Sequence, residues 1–198
     1  MNPKKSNRWT LIALFALFVA PITGAYILHY VGWQPEKTKN RGDLLPSPLP
    51  MAEQTFSLMD GSSLSLNDMK HSWGLLYIGG SNCDKLCEQR MNDLRRVHLA
   101  LGKNQKRVHR LYLDDSGNDN IAAELKSRYP KVKVLAKPAM SVSAWKAQLD
   151  GVSAGKARPG MVFIIDPLGN AIMSYQPDAD ATGIRKDMGR LLHVSQVG

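Results

Sequence analysis

Two cysteines, Cys83 and Cys87, are the only thiols in the 198-residue chain, and the residues on either side leave little choice of local fold. Before them runs Trp73-Gly74-Leu75-Leu76-Tyr77-Ile78, an apolar stretch of the kind that forms a strand covered on both faces. After them Met91, Leu94, Val97, His98 and Leu101 recur at helical spacing up to Gly102. Strand, cysteine loop, helix is the implied order. A thiol acts as nucleophile or metal ligand only as the thiolate, which the free N–H groups of a helix N-terminus favour, and Cys87 is expected in the first turn. In a regular helix the Cβ atoms at i and i+4 lie roughly 5–6 Å apart, beyond the roughly 3.5–4.5 Å that a disulfide spans. Cys83 is therefore expected in the loop, free to move. Two soft sulfurs so placed suit reversible disulfide chemistry and also Cu(I), which prefers thiolates to oxygen donors. The plain alternative is an inert structural bridge, although closing so short a loop adds little stability by the loop-entropy argument.

The totals narrow the field. A hydrophobic content of 43% supports one cored domain plus a small appendage, and two cysteines are too few for a disulfide scaffold. Much of the +9 charge is spread thinly: after the first eight residues, 23 basic residues face 17 acidic ones. There is no aromatic interleaving and no finger or RNA-recognition motif, which argues against nucleic acid as a partner. Such a surface suits a solvated face, anionic lipid or an acidic protein.

The N-terminus reads as a membrane tether. Residues 1–8 carry Lys4, Lys5 and Arg8, and no charge follows from Thr10 to Tyr30. As a helix those residues would extend about 31 Å, enough to cross a hydrocarbon core. Trp9, Tyr30 and Trp33 mark the interfaces, and Pro21 and Gly24 are tolerable within a membrane helix. A cleaved signal peptide is the rival, but the apolar run continues past the weak site Thr23-Gly24-Ala25 through Tyr26-Ile27-Leu28. The expectation is an uncleaved anchor over 9–31, a cytoplasmic tail over 1–8 and an exported domain. Residues 32–52, with Pro46, Pro48 and Pro50, read as a semi-rigid polyproline-type stalk.

The domain expected over 53–198 opens with a hairpin, Thr55–Leu58 and Ser63–Leu66 around Asp60-Gly61. A strand over Arg107–Leu113, a helix through Ile121, Leu125 and Tyr129, a short strand at Val132–Leu135 and a helix from Ser141 to Leu149 follow. The strand Met161–Ile165 then turns through Pro167-Leu168-Gly169-Asn170 into Ala171–Tyr175. A last helix carries Ile184, Met188, Leu191 and Leu192, with Asp180 and Thr182 as cap candidates. This is the element order of an α/β thioredoxin-like fold.

The Cys83-Asp84-Lys85-Leu86-Cys87 spacing, the tether and the segment Phe163-Ile164-Ile165-Asp166-Pro167-Leu168-Gly169 resemble the Sco/SenC family of cytochrome c oxidase assembly proteins, over roughly Phe56 to Leu192. The resemblance implies an exported, inner-membrane-tethered protein that helps build the binuclear copper centre of an oxidase subunit, by delivering copper, by reducing cysteines, or both. It implies copper held by both cysteines and a histidine. Here Asp84 and Glu88 replace the prolines usual after each cysteine, and Arg158 stands where the ligating histidine is expected. His29, His71, His98, His109 and His193 offer poor substitutes by position.

Arg158-Pro159-Gly160 also precedes a core strand, where thioredoxin-like oxidoreductases carry a cis-proline beside their cysteines. Pro159 is accordingly a candidate for presenting backbone to an extended peptide, and Arg158 for lowering the thiol pKa. Three functions follow: thiol–disulfide exchange by Cys83 and Cys87 with an oxidase subunit or other exported thiol protein, Cu(I) delivery by the two sulfurs and a third ligand, or assembly without chemistry.

Overall fold

The computed structural model describes residues 4–32, 40–50, 56–58, 63–64, 71–80, 82–114, 119–136, 146–151 and 157–195. Two compact units result, Met1–Lys39 and Asn40–Gly198. Among the described residues the first contains a single helix, α1 (Lys4–Tyr30), interrupted by no charge after Arg8 and carrying Pro21 within it. Its stretch Arg8–Tyr30 is long and apolar enough to cross a membrane.

The second unit is an eight-stranded sheet. Its strands are β1 (Asp43–Pro50), β2 (Phe56–Leu58), β3 (Ser63–Leu64), β4 (Trp73–Ile78), β5 (Val108–Leu113), β6 (Val132–Ala136), β7 (Val162–Ile165) and β8 (Asn170–Tyr175), ordered β1-β8-β7-β4-β5-β6-β2-β3. Strands β4, β5 and β6 run parallel, with Trp73 opposite Val108 and Arg110 opposite Val132, whereas β7 and β8 run antiparallel to their neighbours. Parallel neighbours need crossovers, supplied by α2 (Lys85–Ala100) with a 3₁₀ turn over Gly102–Arg107, and by α3 (Asp119–Arg128). Helix α4 (Ala181–Val194) closes the chain. The arrangement is thioredoxin-like.

Side-chain alternation along the strands divides the core into two layers. Leu75, Tyr77, Tyr112, Val134, Val162, Ile164 and Met173 face α2, α3 and α4, meeting Met91, Leu94, Val97, Leu125, Ile184 and Met188. Leu76, Ile78, Leu111, Leu113, Phe163 and Ile165 face the other side, where Leu45, Leu64 and Leu149 cover them. β4 and β7 are buried along their whole length, which explains their unbroken apolar sequences.

The expected N-terminal hairpin is present as β2 and β3, with Phe56 opposite Leu64, and it joins the sheet through β6. Its Asp60-Gly61 turn and the Ser141 cap lie outside the described residues; residues 146–151 are helical.

One expectation is corrected. The proline-rich stretch is not a free stalk over Asp43–Pro50: it is the edge strand β1, paired with β8 at Asp43 and Leu44 and again at Leu49 and Pro50. The register breaks between Leu44 and Leu49, across Pro46-Ser47-Pro48, because proline has no N–H to give a ladder. Polyproline dihedrals differ little from strand dihedrals, so a sequence read as a spacer can equally dock on an edge. The docking is anchored just upstream. The buried Asp187 carboxylate accepts the backbone N–H groups of Arg41 (2.7 Å) and Gly42 (3.0 Å) and the Tyr175 hydroxyl (3.1 Å). A Cβ on Gly42 would lie 2.6 Å from the Tyr175 ring, so glycine is needed for the approach.

Candidate redox site

The disulfide Cys83–Cys87 lies at the C-terminal end of β4, bridging the loop to the first turn of α2 across a Cα separation of 5.1 Å. Cys83 is in the loop and Cys87 in the helix, as the spacing required. Asp84 is the N-cap: it has extended backbone and its Oδ1 accepts the Cys87 N–H at 3.0 Å, satisfying one of the helix's free donors. Cys87 is buried and Cys83, in the loop, is half-buried.

The loop itself is held from below. Gly79 donates to the Leu113 carbonyl at 2.9 Å, continuing the ladder, and a Cβ there would stand 2.2 Å from the Tyr112 hydroxyl oxygen. Tyr112 stacks against Tyr77 with ring centroids 5.4 Å apart and planes tilted by 31°. Burial chiefly, and Asp84 secondarily, raise the Tyr77 phenol to about 12, and burial raises Tyr112 further. Both remain neutral hydroxyls at any physiological pH.

A groove of about 880 Å³ opens beside the disulfide. Cys87, Tyr77 and Gly80 form its base, Leu86 and Arg90 lie on the α2 side, and Pro159, Gly160 and the segment 177–182 line the opposite wall. Pro159 thus reaches the cysteine loop, its Cβ 3.3 Å from where a Gly80 Cβ would be. Its peptide bond is trans, as are all those of the described residues, so the cis-proline expectation does not hold. The reason is local. Met161 donates to the Arg158 carbonyl at 3.2 Å and Gly160 has φ +94°, the features of a type II turn in which proline at the second position and glycine at the third fit without isomerisation. Gly160 is fixed again by its N–H to the Ile78 carbonyl (2.9 Å) and by Pro177, whose Cβ would be 2.8 Å from an added methyl.

Arg158 begins that turn, is exposed, and donates to Gln176 Oε1 at 3.1 Å. The arginines that line the groove are instead Arg90, Arg96 and Arg185, and Arg90 lies one turn along α2 from Cys87. Its buried guanidinium donates to the Ala179 carbonyl at 2.7 Å and to the Pro177 carbonyl, joining the helix to the opposite wall. Sequence alone missed this residue; the signal was a cation at i+3 from a cysteine on the buried stripe, which periodicity would have placed inward.

Four histidines of the second unit, His71, His98, His109 and His193, do not line the groove. His71, with φ 71°, precedes β4 and donates its N–H to the Pro167 carbonyl, and His109 pairs with Gly74, so both lie at the opposite end of the sheet from the sulfurs. His98 lies in the last turn of α2, its Nε2 3.0 Å from the carbonyls of Gln105 and Val108, and burial lowers its pKa. Nε2–H is the donor, and the ring is neutral above its ordinary range. His193 is in the last turn of α4. Among the described residues no three His, Cys, Asp or Glu side chains form a metal-binding group. Arg158, at the position where the resemblance places a ligating histidine, carries a guanidinium, which cannot ligate.

Residues 73–195 match the family model described as transmembrane-like, thioredoxin-like, C-terminal domain. The chain belongs to that family. No curated relative matches the sequence. Solved structures share the fold: apo Sco1 from Thermus thermophilus at TM-score 0.61 and 21% identity, covering 79% of this chain and 99% of that one. Copper-bound yeast Sco1 aligns at 0.58 and 14%, covering 80% and 96% respectively. A third, from work identifying a disulfide switch in BsSco, a member of the Sco family of cytochrome c oxidase assembly proteins, aligns at 0.56 and 14%, covering 82% and 99%. The thioredoxin-like fold anticipated from the order of elements is thus that of the Sco structures, some of them copper-bound.

Proposed function

We propose that the chain is a membrane-tethered Sco-like protein that performs thiol–disulfide exchange during cytochrome c oxidase assembly, its domain on the exported side of the inner membrane. The observation that carries the reading is the Cys83–Cys87 disulfide beside an open groove that Cys87 lines, with Cys83, in the loop, the less buried residue of the pair. With the pair reduced, the Cys83 thiolate attacks a disulfide of an exported protein, forming a mixed disulfide and expelling one partner sulfur as thiolate. Cys87, deprotonated, then attacks Cys83, which reforms the internal bridge and releases the second partner thiolate. Two electrons pass from this chain to the partner. The groove wall of Pro159 and Pro177 positions the partner strand, and Arg90 supplies positive charge near the sulfurs.

Expression of the full chain carrying Cys87→Ser tests this. A mixed disulfide through Cys83 to an oxidase subunit or another exported thiol protein, released by dithiothreitol, is expected. No trapped species, with the same yield of folded protein, would remove the reading.

The copper-bound neighbours favour a second reading in which the reduced sulfurs carry Cu(I) as cargo. Anaerobic titration of the reduced chain distinguishes it: tight binding of about one Cu(I), lost in Cys83→Ser and in Cys87→Ser, would support delivery, and no binding would leave exchange alone.

A further inference from the structure

Away from the groove, on the sheet face covered by α2 and α3, stands a cation that no described residue pairs. Arg110 points from β5 into that layer and is 7% exposed, and its Nε and Nη1 are buried with no acceptor among the described residues. A guanidinium has five donors and no acceptor, and leaving buried ones unmet is among the less favourable things a fold can do. A second donor shares the defect. Trp73 is buried on β4, and its Nε1–H also lacks an acceptor. In the parallel β4–β5 register Trp73 opposes Val108 and Leu75 opposes Arg110, so Trp73 and Arg110 are diagonal neighbours on one face.

The surroundings are also one-signed. Arg95 of α2 lies near enough to oppose the Arg110 charge, and Lys131, just before β6, acts on neighbouring His98 in the same sense. His98 itself is committed to the Gln105 and Val108 carbonyls. The acids on that flank, Glu88 and Glu124, are both taken up by Arg128. Orphaned donors, excess positive charge and, among the described residues, no free carboxylate define the chemistry of what fits: an acceptor-only, negatively charged group.

We infer that Arg110 and Trp73 form a binding site for a small oxyanion, a phosphate or carboxylate group, beneath α2 and separate from the disulfide groove. The orphaned guanidinium donors of Arg110 and the indole N–H of Trp73 supply the contacts to its oxygens. This site does not depend on the redox reading, since neither residue lines the groove.

The test uses the full chain in detergent, titrated by calorimetry with inorganic phosphate and with acetate, alongside sedimentation with phosphatidylglycerol vesicles. Saturable binding of phosphate or acetate is expected. It should weaken on the order of tenfold or more in Arg110→Met, which keeps the apolar stem, and several-fold in Trp73→Phe, as loss of one charge-assisted contact implies. Arg158→Ala, which removes an exposed cation elsewhere, should bind as the native chain does. Vesicle binding that depends on Arg110 would identify a lipid headgroup as the source of the phosphate, and free phosphate binding alone would identify a soluble one. No saturable binding of any of the three probes, or binding that survives Arg110→Met, would overturn the site. Because Met replaces a cation that no described residue pairs, the variant is expected to fold, and its melting temperature provides the control.

Discussion

Strand β7 has a proline–glycine turn at each end, and the two do different work. Before it, Arg158-Pro159-Gly160-Met161 forms a type II turn that lines the groove beside the disulfide. After it, Asp166-Pro167-Leu168-Gly169 turns the chain into β8 at the far end of the sheet. There Asp166 Oδ1 accepts the N–H groups of Leu168 (2.9 Å) and Asn170 (2.8 Å), and Gly169 takes φ 84°. The second turn carries the more specific family motif, yet its carboxylate is spent on its own backbone. Motif specificity marked the fold; the proposed chemistry belongs to the end where a strand terminus, a helix N-terminus and two sulfurs meet.

The most severe way to break this contrast is Gly160→Ala. A methyl would meet Pro177 at 2.8 Å on a backbone at φ +94°, and a loss of about 2 kcal/mol or more in chemical denaturation is expected, with altered exchange because the groove wall moves. At the other turn, Asp166→Ala removes the acceptor of three donors, including Asn170 Nδ2 at 3.0 Å. It should lower stability by about 1–2 kcal/mol and leave the exchange rate of the folded protein unchanged. Equal kinetic effects from the two substitutions would erase the distinction between the ends.

Alkaline titration sharpens the picture of the site's floor. The folded Tyr77 phenol is raised to about 12 from an ordinary value of 10.0. The unfolded chain therefore loses this proton first, and stability falls as pH rises from about 10 to 12, by at most about 1.4 kcal/mol per pH unit for this group. Below pH 10 the contribution is fully present. Tyr77→Phe should flatten that slope, as read from denaturation midpoints across pH.

The smallest expected effect is at the cap. Asp84→Asn keeps an oxygen for the Cys87 N–H but removes a negative charge beside the pair, so stability should change by less than about 0.5 kcal/mol. The thiolate should become more favoured, and exchange at neutral pH should quicken by a few-fold. An unchanged thiol pKa, followed by thiolate absorbance, would show that Asp84 is only structural.

Much of this was legible in the chain. Trp73–Ile78 and Met161–Ile165 read as buried strands because both faces are covered, and the i,i+4 spacing put Cys83 outside the helix. Asp180 was recognisable as a cap and accepts from Thr182 at 3.0 Å. What escaped depended on distant partners. The docking of Asp43–Pro50 is decided by Asp187 and Tyr175, 12 residues apart from each other but far from Arg41 in sequence. Local proline content cannot report them. Arg158 looked like the cation of the site because it is close in sequence to Pro159, whereas Arg90 holds that place through carbonyls 87 and 89 residues away.

The most direct measurement is equilibration of the native full chain with glutathione redox buffers, with the thiol state read by alkylation and mass. Interconversion of the Cys83–Cys87 bridge and the dithiol in the folded protein, with Cys83 alkylated faster than Cys87 once reduced, is the predicted result. A bridge that opens only when denaturant unfolds the domain would contradict the account.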